Sequence, residues 1–247
     1  MAQTLNRSLV RRALSAARRS IFPKVPLPRS QYKAVWNDQA GTEDAAKVAV
    51  AGYTDEAELE RTAATTVGTL ERTVGVLPTD TILEIGAGVG RVGAALSPRC
   101  KEWIGADVSS KMVGHMNNRL AGLPNVRAVE LNGFDLSPFD DASLDVVYCT
   151  VVFMHLDEWD RYNYILEGSR VLKPGGRMLV DNFNLLSEEG WALFEILRKL
   201  PPGERPSHIS KSSTPQELAE YFRRAGFTDI GEEQQGMWAT VWGKKAG

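Results

Sequence analysis

The chain has 247 residues, of which 43% are hydrophobic and 24% are charged, and its formal net charge is −2. This length is sufficient for one α/β domain with a substantial core, and no apolar run approaches the 18 residues that a membrane-spanning helix needs. Two cysteines do not make a disulfide framework and favour a reducing, cytoplasmic compartment. Three histidines and two cysteines without close spacing provide no zinc motif, so we expect no bound metal.

Charge is unevenly distributed along the chain. Residues 1–37 contain eight basic residues and no acid, which leaves 21 basic and 31 acidic residues in the remainder. Apolar residues could line one side of a basic helix in this N-terminal extension: Leu5, Leu9, Leu14 and Ile21. Three interpretations stay open, namely a solvated or self-docking helix, contact with an anionic membrane surface by a peripheral protein, and an organellar transit peptide. The acidic remainder disfavours nucleic acid as a partner.

Residues 38–78 are predicted to be helical. Asp55 is a suitable N-cap for a helix that runs towards Gly75. Leu59, Ala63 and Val67 keep helical spacing on one face of that helix. We therefore expect a helical segment with one buried face before the first strand.

A glycine-rich turn follows the first predicted strand. The apolar run at residues 82–85 is typical of a buried parallel strand, and Gly86, Gly88 and Gly90 then let a ligand approach the main chain closely. The amides at the start of the next helix favour a carboxylate or phosphate there. Glu84 is costly inside this strand unless it meets a polar partner such as a ligand ammonium.

The spacing of these glycines favours one nucleotide ligand over another. Counted from Gly86, a dinucleotide-binding loop of the form G-x-G-x-x-G needs glycine where Arg91 stands. An NAD-dependent oxidoreductase is therefore the less favoured interpretation. Asp107 ends the next predicted strand, 21 residues after Gly86, where an acid can accept both hydroxyls of a ribose.

Strands and helices alternate through the rest of the chain. Predicted helices begin at Ser110, near Asp157 and after the Thr214 N-cap, and predicted strands occupy residues 126–131, 144–149 and 177–180. This alternation is typical of a doubly wound parallel sheet. Residues 227–230 and 237–242 are predicted to form a terminal antiparallel pair.

From about Thr79 onwards the chain resembles the class I S-adenosylmethionine (SAM) dependent methyltransferases. The motif L-E-I-G-x-G-x-G, the acid after the second strand and the segment R-V-L-K-P-G-G at residues 170–176 carry this resemblance. It implies a Rossmann-like, doubly wound, seven-stranded α/β sheet with an antiparallel last strand, at residues 79–247. The cofactor-binding residues that it implies are Glu84, Gly86, Ala87, Gly88, Gly90, Asp107, Val108, Met112, Asn132, Gly133, Phe134 and Cys149.

The resemblance also indicates where an acceptor would bind. Related enzymes use their pre-sheet helices as a cap, which makes Tyr32 and Trp36 candidate acceptor contacts. His155 follows the fourth strand and is a candidate catalytic base, although a histidine at this place is often structural. Asp181 and Asn182 resemble two magnesium ligands of catechol-type enzymes. Because no carboxylate follows the fourth strand, we expect them to be polar groups of the acceptor pocket or of a lid hinge, without a metal.

We therefore expect a SAM-dependent methyltransferase that acts on a small-molecule or lipid-like acceptor, at oxygen. The N-P-P-Y signature of enzymes that methylate amide or adenine nitrogen is absent after the fourth strand. Two alternatives remain: a catalytically silent SAM-binding or interaction module, and an NAD-dependent oxidoreductase.

Overall fold

The computed structural model describes residues 31–247. Most of the basic N-terminal extension, with its predicted helix and its predicted contact with an anionic surface, lies outside the described residues. Within residues 31–247, no helix has the length and apolar character needed to cross a membrane.

Three helices precede the sheet: α1 (Tyr32–Gln39), α2 (Glu43–Ala51) and α3 (Glu56–Thr73). The side chain of Thr42 caps α2 by accepting the amide of Ala45, and Asp55 caps α3 by accepting two amides. The apolar stripe of α3 is buried as its spacing predicts. Helix α1 lacks both features. The side chain of Gln31, which precedes it, makes no capping hydrogen bond, and only Val35 of its eight residues is buried.

One mixed sheet forms the centre of the protein. Its strands are β1 (Thr81–Ile85), β2 (Glu102–Asp107), β3 (Val126–Glu130), β4 (Leu144–Cys149), β5 (Leu172–Asn184), β6 (Ser212–Ser213), β7 (Phe227–Gln235) and β8 (Trp238–Lys245). The main order is β3-β2-β1-β4-β5-β8-β7, with β8 antiparallel to both neighbours and the short β6 paired to β5. The predicted Rossmann-like sheet with its inserted antiparallel last strand is confirmed. Since the winding reverses between β1 and β4, a crevice opens at the carboxyl ends of these strands.

The remaining helices cover the two faces of the sheet. They are α4 (Arg91–Leu96), α5 (Ser110–Arg119), α6 (Glu158–Val171), α7 (Glu188–Leu197) and α8 (Pro215–Arg224). Ser109 and Thr214 cap α5 and α8 with their side chains. Helix α7 lies in a segment to which the sequence analysis assigned no element.

Alternation along the strands decides which side chains meet. Ile82, Tyr148 and Leu179 pack on one face with α3 and α4, whereas Cys149 and Val180 pack on the opposite face with α8. Side chains at even positions of β1 and β4, and at odd positions of β5, therefore share the face that α3 covers.

Candidate active site

The crevice predicted at the strand ends is a cleft of about 840 Å³, part of which opens to solvent. The glycine loop after β1 forms its floor, and α1 and α2 contribute Trp36 and Val50 to its wall. Helices that precede the sheet in the chain thus return to enclose the crevice.

Glycines are required in this loop for both conformation and space. Gly86 and Gly88 have φ angles of +75° and +56°, in the left-handed region that favours glycine. A Cβ atom on Gly86 would lie 2.2 Å from Cγ2 of Val152, and one on Gly88 would lie 2.4 Å from Cγ2 of Val50. At these two positions the loop therefore presents main chain to the cleft and has no space for a side chain.

Asp107 ties this loop to the end of β2. Its carboxylate is buried and accepts hydrogen bonds from the amides of Gly88 and Ser109, both at 2.9 Å. Burial raises the pKa of Asp107 to about 6, and the amides that bond it act in the opposite direction. The amide of Val108 bonds it as well. A carboxylate offers about four acceptor positions, so one remains for a ligand that brings a hydroxyl donor.

Glu84 is the second buried carboxyl in the cleft. The hydroxyl of Tyr148 donates to Oε2 of Glu84 at 2.6 Å and accepts from Nε1 of Trp103 at 3.1 Å. Burial raises the pKa of Glu84 to about 7, opposed by Tyr148 and by the positive charge of Arg91. Arg91 is itself only 8% exposed and lines the same cleft. A carboxylate beside a guanidinium complements the ammonium and carboxylate of an amino acid.

This arrangement predicts the effect of Tyr148→Phe. Without the hydroxyl, the pKa of Glu84 should rise further, so that less of its carboxylate is charged at pH 7. We expect the affinity for S-adenosylhomocysteine, which carries an amino-acid ammonium, to fall about tenfold, the scale of a hydrogen bond to a charged group. Calorimetry at pH 6 to 9 measures this change. The wild type should gain affinity as the pH rises through about 7, and the variant should gain it at higher pH. Identical pH profiles would contradict the role of Tyr148.

The structure brings many of the predicted site residues together. The predicted residues that line the cleft are Tyr32, Trp36, Glu84, Gly86, Ala87, Gly88, Asp107, Val108, Met112, Gly133 and His155. Among the cleft residues for which the sequence predicts no role are Arg91 and Val50. The only sequence signal for Arg91 was its position directly after Gly90. Val50 had no signal, because it lies in α2 and reaches the glycine loop only through the tertiary fold.

Four predicted cofactor residues do not line the cleft. The side of Gly90 that would carry a Cβ faces Leu120 and Met116. Asn132 caps its own turn by accepting the amides of Phe134 and Asp135, and the side chain of Phe134 is 64% exposed. Cys149 is fully buried on the face opposite Glu84, because adjacent positions along a strand point to opposite faces.

His155 lies in a 3₁₀ turn, Phe153–His155, at the edge of the cleft. Its Nδ1 is 2.9 Å from the carbonyl oxygen of His208, a contact in which the ring nitrogen donates its proton. The ring also meets Trp36 edge to face, with centroids 4.8 Å apart. Tyr32, also on α1, donates a hydrogen bond to Asp160 on α6. These contacts fix α1 against the turn that carries His155.

A second cavity, of about 920 Å³ including its open part, adjoins the cleft. It lies between α3 and the ends of β5 and β8, and Asp181 lines it. Four residues line both spaces: Val50, Arg91, Thr150 and Val151. A small molecule in the second cavity would therefore lie next to a ligand of the cleft.

Asn182 does not join Asp181 in this cavity, although the two were predicted to act together. It is fully buried on the opposite face of β5, where Nδ2 donates to Oγ of Ser213 at 2.8 Å. Adjacent side chains of β5 point to opposite faces, so Asp181 lines the second cavity and Asn182 does not. Among residues 31–247 there is no group of three or more histidine, cysteine, aspartate or glutamate side chains that could hold a metal ion.

Comparisons with known proteins show the family of this chain. A family model described as a methyltransferase domain matches residues 83–180. The demethylmenaquinone methyltransferase of Clavibacter sepedonicus is 32% identical over 174 residues, which cover 64% of this chain and 70% of that protein. The chain belongs to the SAM-dependent methyltransferase family.

Other relatives of this methyltransferase extend the comparison. The 27-O-demethylrifamycin SV methyltransferase of Amycolatopsis mediterranei is 28% identical, over 75% of this chain and 74% of that protein. The chain spans about half the length of another relative, the uncharacterized methyltransferase YcgJ of Bacillus subtilis, at 35% identity. The structure of magnesium protoporphyrin IX methyltransferase from Synechocystis PCC 6803 with bound SAH shares the fold, with a TM-score of 0.60 at 19% identity over 78% of this chain and 87% of that one.

SAM is the cofactor of this family, and the cleft of this methyltransferase fits it. At Gly86 and Gly88 the loop presents main chain without a side chain, because a Cβ there would clash with Val152 and Val50. The remaining acceptor position of Asp107 suits a ribose hydroxyl. Glu84 and Arg91 complement the two charges of the methionine end.

Proposed function

We propose that this enzyme transfers the methyl group of SAM to a hydroxyl oxygen of a small or lipid-like molecule. The observation that carries the proposal is the second cavity, which adjoins the cofactor cleft and shares four wall residues with it. The cavity is bounded on three sides by α3, β5 and β8, a space for a small molecule or for one end of a longer one. The names of two relatives specify small acceptors, and one of those names specifies oxygen.

The chain contributes mainly position and electrostatics to this reaction. When bound, the cofactor supplies a methyl group on a positively charged sulfur. An oxygen nucleophile would attack the methyl carbon directly and displace the sulfur. Glu84, Arg91 and Asp107 would hold the two ends of the cofactor, and Val50 and Val152 would exclude water from the glycine loop. Holding two reactants in line supplies a large part of the rate in such displacements.

Labelled SAM and a panel of acceptors test this proposal. The panel pairs each hydroxyl compound with the amine or thiol of the same skeleton, and the labelled product is identified by mass spectrometry. We expect label on oxygen and little on the matched analogues. Label confined to nitrogen, sulfur or carbon would overturn the choice of oxygen.

Calorimetry separates the two alternative functions. Binding of S-adenosylhomocysteine without turnover on any acceptor would favour a catalytically silent SAM-binding module. Tight binding of NADH without binding of S-adenosylhomocysteine would favour an oxidoreductase and would overturn the proposal.

A further inference from the structure

We propose that Asp181 accepts the proton of the acceptor hydroxyl, and that the acceptor is a molecule with several hydroxyl groups held in the second cavity. We call this space the threonine cavity, after the wall that Thr62, Thr65, Thr66 and Thr69 of α3 form. The inference rests on the proposed oxygen methylation and adds to it a base and a substrate class.

The position of Asp181 fits a proton acceptor. Its Oδ1 accepts the amide of Val151 at 2.6 Å, which fixes the carboxylate at the border between the threonine cavity and the cofactor cleft. The structure gives its other oxygen no hydrogen-bond or ion-pair partner within residues 31–247. One oxygen therefore holds the group in place, and the other is available to a ligand.

Thr150 marks the same border independently. Its side chain is 8% exposed, its Oγ1 is buried, and that oxygen has no hydrogen-bond partner within the described part of the chain. A buried hydroxyl without a partner costs free energy. Because Thr150 lines both the cleft and the threonine cavity, a polar atom of a ligand between them would satisfy it.

The threonine wall indicates the class of acceptor. The hydroxyls of Thr62, Thr65, Thr66 and Thr69 each donate to a main-chain carbonyl of α3, at distances of 3.0 to 3.3 Å. Each hydroxyl has one proton, so only acceptor lone pairs remain for a ligand. Oγ1 of Thr69 already accepts from Arg72 and Oγ1 of Thr66 from Arg91, so Thr62 and Thr65 offer the most acceptor capacity. A wall of acceptors complements a ligand that brings several donors, such as a polyol or polyphenol. Leu179 and Trp238 line the cavity as well and would pack against its carbon skeleton.

The charges around Asp181 suit a base that works near neutral pH. Burial raises the pKa of Asp181 to about 7, opposed by the amide of Val151 and the positive charge of Arg91 from α4. Arg61 of α3 also lines the cavity and pairs with Glu58. The Cys149 thiol of β4 stays protonated, because burial raises its pKa well above the usual range. A base with a pKa near the working pH is the most effective kind.

His155 is the other candidate base in the site. Its Nδ1 is engaged by the His208 carbonyl, and the residue lines the cofactor cleft but not the threonine cavity. Asp181 lies on the side where the acceptor would bind, so the structure assigns the proton to Asp181.

The atoms and charges of the step balance. The acceptor oxygen forms a bond to the methyl carbon while the carbon–sulfur bond breaks. The electron pair of the broken bond stays on sulfur, which becomes neutral. The hydroxyl proton moves to the carboxylate of Asp181 and leaves to solvent after the product departs.

Asp181→Asn tests the inference, with Asp140→Asn as the control because Asp140 is exposed and lies outside both spaces. We expect kcat/KM to fall about 100-fold or more, with the affinity for S-adenosylhomocysteine unchanged. With SAM saturating at every pH, so that the titration of Glu84 does not enter, kcat/KM for the acceptor should rise about tenfold per pH unit up to about pH 7 in the wild type and then level off. The variant should lose this limb. Unchanged kcat/KM in the variant would overturn the role of Asp181.

A measurement that needs no turnover is the ¹³C NMR titration of aspartate carboxyls with S-adenosylhomocysteine bound. We expect one carboxyl to titrate near pH 7 in the wild type and to be missing in Asp181→Asn. A carboxyl of Asp181 that titrates below pH 5 would overturn the base. If no hydroxyl compound is methylated, the proposed oxygen chemistry fails, and this titration still decides the state of Asp181.

Thr62→Val tests the substrate class, because Thr62 lines the threonine cavity and its hydroxyl bonds only a main-chain carbonyl among the described residues. Ala64→Val, on the exposed face of α3, is the control. The variant removes one acceptor oxygen and keeps the shape of the side chain. We expect KM for pyrogallol, which has three hydroxyls, to rise several-fold more than KM for phenol, while the control changes neither. Equal effects on both compounds would overturn the polyhydroxyl class.

Discussion

Gly86→Ala is expected to weaken the binding of S-adenosylhomocysteine about 100-fold or more, whereas Gly52→Ala is expected to leave it unchanged. Both glycines have φ angles near +75°, at +75° and +78°, so both substitutions incur the same backbone cost of about 1–2 kcal/mol. A Cβ on Gly52 meets nothing within 4 Å, whereas one on Gly86 lies 2.2 Å from Val152. The difference between the two variants therefore isolates the crowding at the cofactor loop.

Calorimetry measures the affinity, and thermal unfolding shows whether each variant is folded. The double variant Gly86→Ala, Val152→Ala removes the crowding methyl groups and should recover part of the lost affinity, since the backbone cost remains. Wild-type affinity in the single variant would show that the loop can move away from Val152, and that glycine is not required there.

The glycine loop could be predicted from sequence because its signal is local. An apolar strand and glycines at fixed spacing specify the turn by themselves, and the acid after β2 follows at a fixed distance along the chain. The doubly wound sheet could be predicted as well, because strands and helices alternate along the chain and strand–helix–strand units have a fixed hand. The insertion of the antiparallel last strand into the sheet was implied by the resemblance to the family.

The threonine cavity could not be predicted from such local signals. It forms where α3 packs across β5 and β8, and the residues of α3 that line it precede those of β5 and β8 by more than 100 positions in the chain. The threonines of α3 carry no pattern that separates a cavity wall from an ordinary exposed helix face. Val50 of α2 reaches the glycine loop by a tertiary contact of the same kind.

The end of β5 was correctly predicted to carry polar residues, but Asp181 and Asn182 were wrongly expected to lie in the same pocket. The sequence predicted polar residues at the end of β5, and a strand does end there. Their grouping into one pocket ignored the alternation of side chains, which sends Asp181 to the threonine cavity and Asn182 to Ser213. Applied before the structure was known, the same rule would have separated Cys149 from Glu84.

Asp107→Ala is the second variant for which we expect a large effect. It removes the acceptor of two buried amides, those of Gly88 and Ser109. Each buried donor left without a partner costs about 1–3 kcal/mol, so we expect a lower melting temperature as well as weaker binding of S-adenosylhomocysteine. Asp140→Ala, which alters an exposed carboxylate, is the control and should change neither.

A thermodynamic cycle that combines Asp107→Ala with a change in the ligand separates the two roles of Asp107, which are support of the loop and contact with the ribose. If its remaining acceptor position binds the ribose 2′-hydroxyl, the 2′-deoxy analogue of S-adenosylhomocysteine should bind the wild type about tenfold more weakly than the parent compound. The two ligands should then bind Asp107→Ala almost equally, because the partner of the missing hydroxyl is gone. An unchanged ratio between the two ligands in the variant would show that Asp107 acts through the loop alone and that another group holds the ribose.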